Sequence, residues 1–160
     1  MNAPQEGCEV KTCEGRRCVS RRLRTPVSEL PQRFQEVLES IFGEAIPKSC
    51  GAITPTGVPF AVYRNMDMND LDVEIGVPAE GACALLGFLE WSETPSGTFA
   101  ACIHHGPYDQ MESTYQKLMQ WVAEQHQTLG ESILTMEIYH SDPDRTPLAE
   151  LETEILLLLN

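Results

Sequence analysis

Residues 97–122 read GTFAACIHHGPYDQMESTYQKLMQWV, a strand that turns directly into a helix. Gly97–His105 forms the predicted strand, and Gly106-Pro107 is the dipeptide that breaks it. Asp109 is expected to cap the helix, with Glu112 three residues later in capping-box spacing. The apolar face of this helix carries residues at helical spacing, namely Met111, Tyr115, Leu118 and Val122. The stretch therefore predicts a β-α unit.

Two further strands are predicted after this unit, Ile133–His140 and Leu148–Leu159, on either side of a polar turn. The same order of elements occurs about 80 residues earlier. Its members are a strand at Arg17–Arg24, a helix capped by Ser28 and ended by Gly43, and strands at Val58–Arg64 and Leu71–Val77. When the two halves are aligned, Tyr63 falls on Tyr139 and Glu74 falls on Glu154. The chain thus predicts an internal duplication.

We predict two β-α-β-β repeats, residues 8–80 and 84–160, within a single domain over residues 1–160. Cys8–Cys13 would open the first repeat and Leu85–Trp91 the second. Neither repeat buries its apolar sheet face alone, so the two should pair about a pseudo-twofold axis. The predicted fold class is α+β: an antiparallel sheet with two main helices on one face and a ligand groove between the repeats.

The composition argues against several classes of function. The chain has 24 acidic and 11 basic residues, and its formal charge of −13 repels phosphate backbones, so direct nucleic-acid binding is not expected. The longest apolar run, Ile155–Leu159, is too short to span a bilayer, and no signal peptide is evident, which predicts a cytoplasmic protein without membrane contact. No Cys-x-x-Cys pair, P-loop or dinucleotide motif is present, so neither a metal site nor a cofactor is expected.

Alternation along Ile133–His140 singles out one carboxylate. The more apolar set of side chains is predicted to face the helices, and consists of Leu134, Met136 and Ile138. Glu137 would then lie on the opposite, open face beside Tyr139, with Tyr63 on the same face in the other repeat. An acid among aromatic rings matches what a delocalised cation needs. A solvated acid on a half-exposed sheet is the alternative that the pattern leaves open.

Two other features have mainly structural interpretations. His104 and His105 are adjacent in a strand and point to opposite faces, so they are not expected to chelate one metal; one should be packed and the other solvated. Trp121 lies on the predicted helix and is expected in the core or at its rim.

Several segments together resemble the GyrI-like small-molecule-binding domain, a family that shares the duplicated fold of the SOUL superfamily. They include the Gly-Pro-Tyr-Asp turn, a Glu-x-Tyr strand and a Thr-Glu-Ile strand, and lie within Thr94–Trp121, Met136–Pro143, Glu152–Ile155, Val58–Tyr63 and Leu71–Pro78. The resemblance covers nearly the whole chain from Cys8. The family is known as the effector-binding module of AraC- and MerR-type transcription regulators.

The resemblance implies a hydrophobic, often cationic ligand in a groove between the repeats, contacted by a glutamate on the strand after the second helix. Glu137 matches that glutamate. By the same match, Tyr108 and Tyr139 are ligand-binding aromatic positions; Tyr63 follows from the repeat symmetry and Trp91 is a further candidate. Because few residues precede the first strand, the chain resembles a stand-alone member without a DNA-binding module.

Three functions remain open at this point, and the sequence favours a binding protein over an enzyme. The first is a protein that sequesters or senses a hydrophobic cation, with Glu137 supplying the negative charge. The second is a hydrolase of cyclopropanoid or similar electrophilic toxins, with Glu137 as the catalytic acid or base and Tyr108 or Tyr139 assisting. The third is an acidic, DNA-mimicking protein that engages DNA gyrase or a regulator. Haem binding is not expected, because no histidine is predicted in the groove.

Overall fold

The computed structural model describes residues 7–85, 87–125, 127–130 and 134–160. Within this range the chain forms two compact units. Residues 14–95 form the first, called here the N unit, and residues 7–13 with 96–160 form the second, called the C unit. No helix in the described ranges combines the length and apolarity needed to cross a bilayer.

The described residues of these units form nine strands and two main helices. The strands are β1 (Cys8–Cys13), β2 (Arg17–Thr25), β3 (Thr54–Pro55), β4 (Phe60–Tyr63), β5 (Leu71–Glu80), β6 (Glu90–Glu93), β7 (Gly97–His105), β8 (Thr135–Tyr139) and β9 (Glu152–Leu158). The main helices are α1 (Leu30–Glu39), which continues as a π-helix over Ser40–Ala45 and a short α2 (Ile46–Lys48), and α3 (Met111–Glu124). All the strand pairs within each unit are antiparallel, so the predicted α+β class is confirmed.

In the N unit the strands lie in the order β4-β5-β2-β6, and β3 adds to β5. Helix α1 packs against β2 and β5, and buries Val37 there. The π-helical turn that follows buries Ile41. The β-branched residues Val73, Ile75 and Val77 share one face of β5, and none of them is accessible to solvent.

In the C unit the strands lie in the order β8-β9-β7-β1. Helix α3 covers one face of this sheet, and its apolar stripe joins a buried cluster from β1, β7 and β9. The cluster consists of Cys8, Ala100, Cys102, Met111, Leu118, Trp121, Val122, Ile155, Leu157 and Leu159. Trp121 is only 5% exposed, so its expected place in the core is confirmed.

The two units repeat the same strand register. Tyr63 on β4 lies opposite Val73 on β5, and Tyr139 on β8 lies opposite Thr153 on β9. The neighbouring carboxylates are also equivalent, because Glu74 and Glu154 each occupy the next position along their strand. The aligned residues of the sequence therefore coincide in the fold, and the predicted duplication is confirmed.

These equivalent carboxylates are both buried, and each contacts a basic side chain from the residue that follows the neighbouring strand. Arg64 contacts Glu74 at 2.9 Å, and His140, the next residue after β8, contacts Glu154 at 3.0 Å. Lys11 adds a second contact to Glu154 at 2.6 Å. The duplication thus extends from the order of elements to the contacts of individual side chains.

The predicted opening strands pair differently from what the sequence indicated. β1, expected to open the first repeat, pairs with β7 of the C unit. The second predicted opening strand, Leu85–Trp91, was placed wrongly: β6 begins only at Glu90 and pairs with β2 of the N unit, with Trp91 opposite Val19. Alternation identifies a strand, but it does not specify which sheet edge accepts it.

The helix ends also differ from the sequence-based expectation. Ser28 and Asp109 lie in short 3-10 turns, Val27–Glu29 and Tyr108–Gln110, and neither caps a main helix through its side chain. Gly43 does not end the first helix, because the backbone continues through it as a π-helix. Glycine lacks a Cβ and tolerates several backbone conformations, so its presence marks a possible helix end without imposing one.

Candidate functional site

Glu137 lies on the face of the C unit that α3 covers. Its direct partner across the sheet is Ile155, which belongs to the cluster beneath α3, and antiparallel partners share a face. Tyr115 of α3 donates a hydrogen bond to the Glu137 carboxylate. The predicted open face for Glu137 is therefore wrong. The period of a strand fixes which residues share a face but not which face is covered, and the more apolar set containing Met136 was assigned to the helix side.

Both oxygens of the Glu137 carboxylate accept a hydrogen bond from a phenol. Tyr115 donates to Oε2, and the Tyr139 hydroxyl donates to Oε1 at 2.7 Å. The residue is 9% exposed, so water contributes little to its solvation. No ion pair within the described ranges involves Glu137. Among the described residues, the hydrogen-bond donors to this buried carboxylate are two neutral phenols.

Burial raises the pKa of Glu137 above its ordinary value. The hydrogen bonds from Tyr115 and Tyr139 and the nearby His104 act in the opposite direction, but they do not cancel the effect of burial on this pKa. The charged form of Glu137 is therefore less favoured in the folded protein than it would be for a carboxyl group in water. A cation placed beside it would reverse this balance.

Tyr108 extends the aromatic surface around this carboxylate. It begins the 3-10 turn that follows Gly106-Pro107, and its ring packs edge-to-face on Tyr139, with 5.8 Å between centroids and an interplanar angle of 84°. The side chain is 42% exposed. Burial, with the negative charges of Asp142 and Glu137, raises the pKa of its phenol. Tyr108 therefore extends the aromatic cluster from the buried carboxylate to the protein surface.

A hydrogen-bonded histidine fixes the start of α3 on the sheet. His104 Nε2 lies 2.9 Å from the Pro107 carbonyl oxygen, and Nδ1 lies 2.7 Å from the Thr114 hydroxyl. Because a carbonyl only accepts, a neutral His104 donates from Nε2 and accepts from Thr114 at Nδ1. His104 is buried and His105 is exposed, as the sequence predicts. The bonded pair orients the turn that carries Tyr108 and the helix that carries Tyr115.

The structure brings three of the five predicted site residues together: Glu137, Tyr139 and Tyr108. Sequence reasoning missed Tyr115, because its place in the apolar stripe of α3 is equally typical of a core residue. The signal that identifies it is a phenol on the helix facing an acid on the adjacent sheet, and helix and sheet cannot be matched from periodicity alone.

The other two predicted site residues, Tyr63 and Trp91, belong to the N unit. Tyr63 is half-buried at the end of β4. The Trp91 indole donates to the Cys83 carbonyl at 2.7 Å, and the Arg17 guanidinium lies 4.2 Å from the centre of its ring. Trp91 thus already stacks with a cation from its own unit. The ligand-binding roles of both residues stay predictions.

The family model of the GyrI-like small molecule binding domain matches residues 7–160. The chain belongs to this family. The resemblance inferred from the sequence motifs is thereby confirmed, and the chain is a GyrI-like small-molecule-binding domain. No curated protein matches it by sequence.

Solved structures share the GyrI-like fold. The EcmrR C-terminal domain aligns with a TM-score of 0.79 at 24% identity, covering 96% of both chains. In the EcmrR–DNA complex the matched part is 57% of the EcmrR chain, so the present chain spans little more than half of that protein. A hydrolase from Listeria innocua encoded by lin2189 aligns at 0.67 and 11% identity, covering 99% of this chain and 94% of the other. SAV2435 bound to tetraphenylphosphonium aligns at 0.63 and 8% identity, covering 96% and 93%.

Proposed function

We propose that this GyrI-like domain binds a small hydrophobic cation at the cluster of Glu137, Tyr108, Tyr115 and Tyr139. The observation that carries the proposal is the buried Glu137 carboxylate, which has phenol donors but no ion-pair partner within the described residues. Removing a charge from water is costly unless an opposite charge accompanies it. A bound cation would supply that opposite charge.

The hydrogen bonds at Glu137 favour a ligand whose charge is spread over apolar groups. Both carboxylate oxygens already accept from tyrosines, so the ligand need not donate an N–H. Such a cation interacts with the carboxylate through space and with the tyrosine rings through their quadrupoles. The relative SAV2435 was solved with tetraphenylphosphonium, a cation of this type.

Most of the binding free energy would come from the apolar surface of the ligand, at about 25 cal/mol per Å² buried. The carboxylate would mainly set selectivity, because an anion or a neutral isostere gains nothing from it. The domain would then sequester or sense its ligand without transforming it, in the cytoplasm. We extend the proposal to Tyr63 and Trp91 as further aromatic contacts, and the groove predicted between the repeats stays a prediction.

The proposal is tested by comparing a cation with a neutral molecule of similar shape. Tetraphenylphosphonium and triphenylphosphine oxide are titrated by calorimetry into the wild-type protein and into Glu137→Gln. We expect the variant to lose about tenfold or more in affinity for the cation, about 1.4 kcal/mol, and little for the neutral compound. Equal losses for the two compounds would contradict the proposed role of charge.

A matched control separates the site from the general acidity of the chain. Glu112 is an exposed acid on α3, the helix that also carries Tyr115. Glu112→Gln removes the same charge as Glu137→Gln without entering the cluster. It should bind tetraphenylphosphonium as the wild-type protein does.

A second candidate function is hydrolysis of an electrophilic toxin, and one further observation favours it. Thr153 lies opposite Tyr139, and its hydroxyl is buried without a hydrogen-bond partner among the residues described. Such a group is available to bind a water or a polar substrate atom. The raised pKa of Glu137 suits a general acid or base, and Tyr108 or Tyr139 would assist. Turnover of an activated cyclopropane by the wild-type protein, abolished in Glu137→Gln, would establish this function over binding alone.

A further inference from the structure

A cavity of about 400 Å³ opens in the N unit. One wall is the π-helical turn and α2, which contribute Glu44 and Lys48, and the other is formed by residues 83–85 and 87–89. Ile53 and Leu89, both buried, line its apolar part. The volume falls within the range of about 300–1,000 Å³ typical of small-molecule sites. None of the proposed ligand-binding residues lines this cavity.

The wall of this cavity has an uncommon backbone. A six-residue π-helix over Ser40–Ala45 replaces the helix end expected at Gly43. π-Helical turns are rare, and they occur frequently at functional sites. This turn places Ser40, Glu44 and Ala45 along the cavity. The uncommon backbone conformation therefore coincides with one wall of the cavity.

The two charged side chains of the wall have no ion-pair or hydrogen-bond partner among the described residues. Glu44 and Lys48 are four residues apart, with the acid first, the arrangement that favours an ion pair on a helix. Nevertheless, neither makes an ion pair or hydrogen bond with any part of the chain for which side chains are described. Both are exposed, whereas the apolar residues lie deeper. One acid and one base thus border an apolar hollow.

We propose that this cavity is a second ligand site, and that it takes a small aromatic zwitterion. The aromatic body would occupy the apolar part beside Ile53 and Leu89, while Lys48 would pair with the anionic group and Glu44 with the ammonium group. A molecule with a single charge would leave one of these side chains unmatched. This site is independent of the cation site at Glu137, so either proposal stands if the other fails.

Cys83 provides a direct readout, because this half-buried cysteine is one of the residues that line the cavity. The native protein is alkylated with N-ethylmaleimide, and the rate at each cysteine is followed by peptide mass spectrometry. L-tryptophan, tryptamine and indole-3-acetate are compared as indoles with both charges, only the positive charge and only the negative charge. Cys50 is exposed and lies outside the lining, so it serves as the internal control.

We expect L-tryptophan to slow alkylation of Cys83 but not of Cys50, about threefold at twice its Kd, since only the free fraction reacts. Glu44→Gln and Lys48→Gln should each weaken this protection, whereas Glu39→Gln, an exposed acid on α1 outside the lining, should not. Equal protection by all three indoles would overturn the zwitterion assignment. No protection of Cys83 by any of them would overturn the site.

Discussion

Tyr115 of α3 donates a hydrogen bond to the Glu137 carboxylate of β8, so helix and sheet of the C unit meet at a buried acid. The helix therefore has two roles: its apolar stripe closes the core, and one polar atom of that stripe solvates the carboxylate. A change in either residue affects both the packing of α3 and the charge of the site.

Removing the phenol of Tyr115 should raise the pKa of Glu137 further. Tyr115→Phe deletes a donor that stabilises the carboxylate, and a hydrogen bond to a charged group contributes about 1.5–3 kcal/mol. The Glu137 carboxyl resonance, followed by NMR against pH, should shift its midpoint upward. Tyr139→Phe should act in the same direction, while an unchanged midpoint in both variants would show that the phenols do not solvate the acid.

The pH dependence of the protein's stability should reflect the raised pKa of Glu137. Its pKa is higher in the folded protein than the ordinary 4.5, so the folded state holds a proton that the unfolded state releases. This contribution to stability is present below pH 4.5 and is lost as pH rises through the folded-state pKa. The melting temperature of the wild-type protein, relative to Glu137→Gln, should therefore fall over that window. A difference that stays constant with pH would contradict the raised pKa.

Lys11 should matter more to stability than an ordinary surface lysine. It contacts the buried Glu154 at 2.6 Å, and although burial opposes ionisation, Lys11 and His140 bring the pKa of Glu154 below its ordinary value. Lys11→Met should cost about 1–3 kcal/mol in urea unfolding at neutral pH, because the carboxylate remains buried. This loss should diminish as pH falls through the Glu154 pKa.

The control for Lys11 is an exposed ion pair. Arg24 contacts Asp70 at 3.2 Å with both side chains more than half exposed, and Arg24→Met should change the unfolding free energy by less than about 1 kcal/mol. Equal losses of unfolding free energy in the two variants would mean that burial of Glu154 does not strengthen its contact with Lys11.

The cysteines should divide sharply by reactivity. Burial raises the pKa of both Cys8 and Cys18 to about 12, and Cys102, whose sulfur lies 3.2 Å from that of Cys8, is also buried. The thiolate is the reactive form, so Cys8 and Cys18 should react with an aromatic disulfide only after unfolding, and burial should shield Cys102 from the reagent until then. Exposed Cys50 should react at once. Labelling of Cys18 in the native protein as fast as Cys50 would contradict this assignment.

Much of the fold follows from the sequence. The predicted strand Gly97–His105 coincides with β7, and the alignment of Tyr63 with Tyr139 coincides with the strand register. Alternation and helical spacing are local properties, so a single repeat contains enough information to define its elements. Agreement between the two repeats in the order of their elements then supports the assignment in each.

The remaining features depend on non-local contacts. The packing of α3 decides whether the face of β8 that carries Glu137 is covered or open. The pairing with β7 decides which sheet edge β1 joins. Periodicity contains neither fact. Tyr115 was missed for the same reason, since its role appears only when helix and sheet are brought together. The sequence predicted the cluster of Glu137, Tyr139 and Tyr108, and the ligand-binding roles of these residues stay predictions.

The dependence of cation affinity on pH tests the proposed site most directly. A cation favours the ionised carboxylate, so the affinity of the wild-type protein for tetraphenylphosphonium, measured by calorimetry, should rise as pH increases through the pKa of Glu137, with proton release on binding. In Glu137→Gln the affinity should be weaker and independent of pH over that range. An affinity that is the same in both proteins at every pH would contradict a cation site at Glu137.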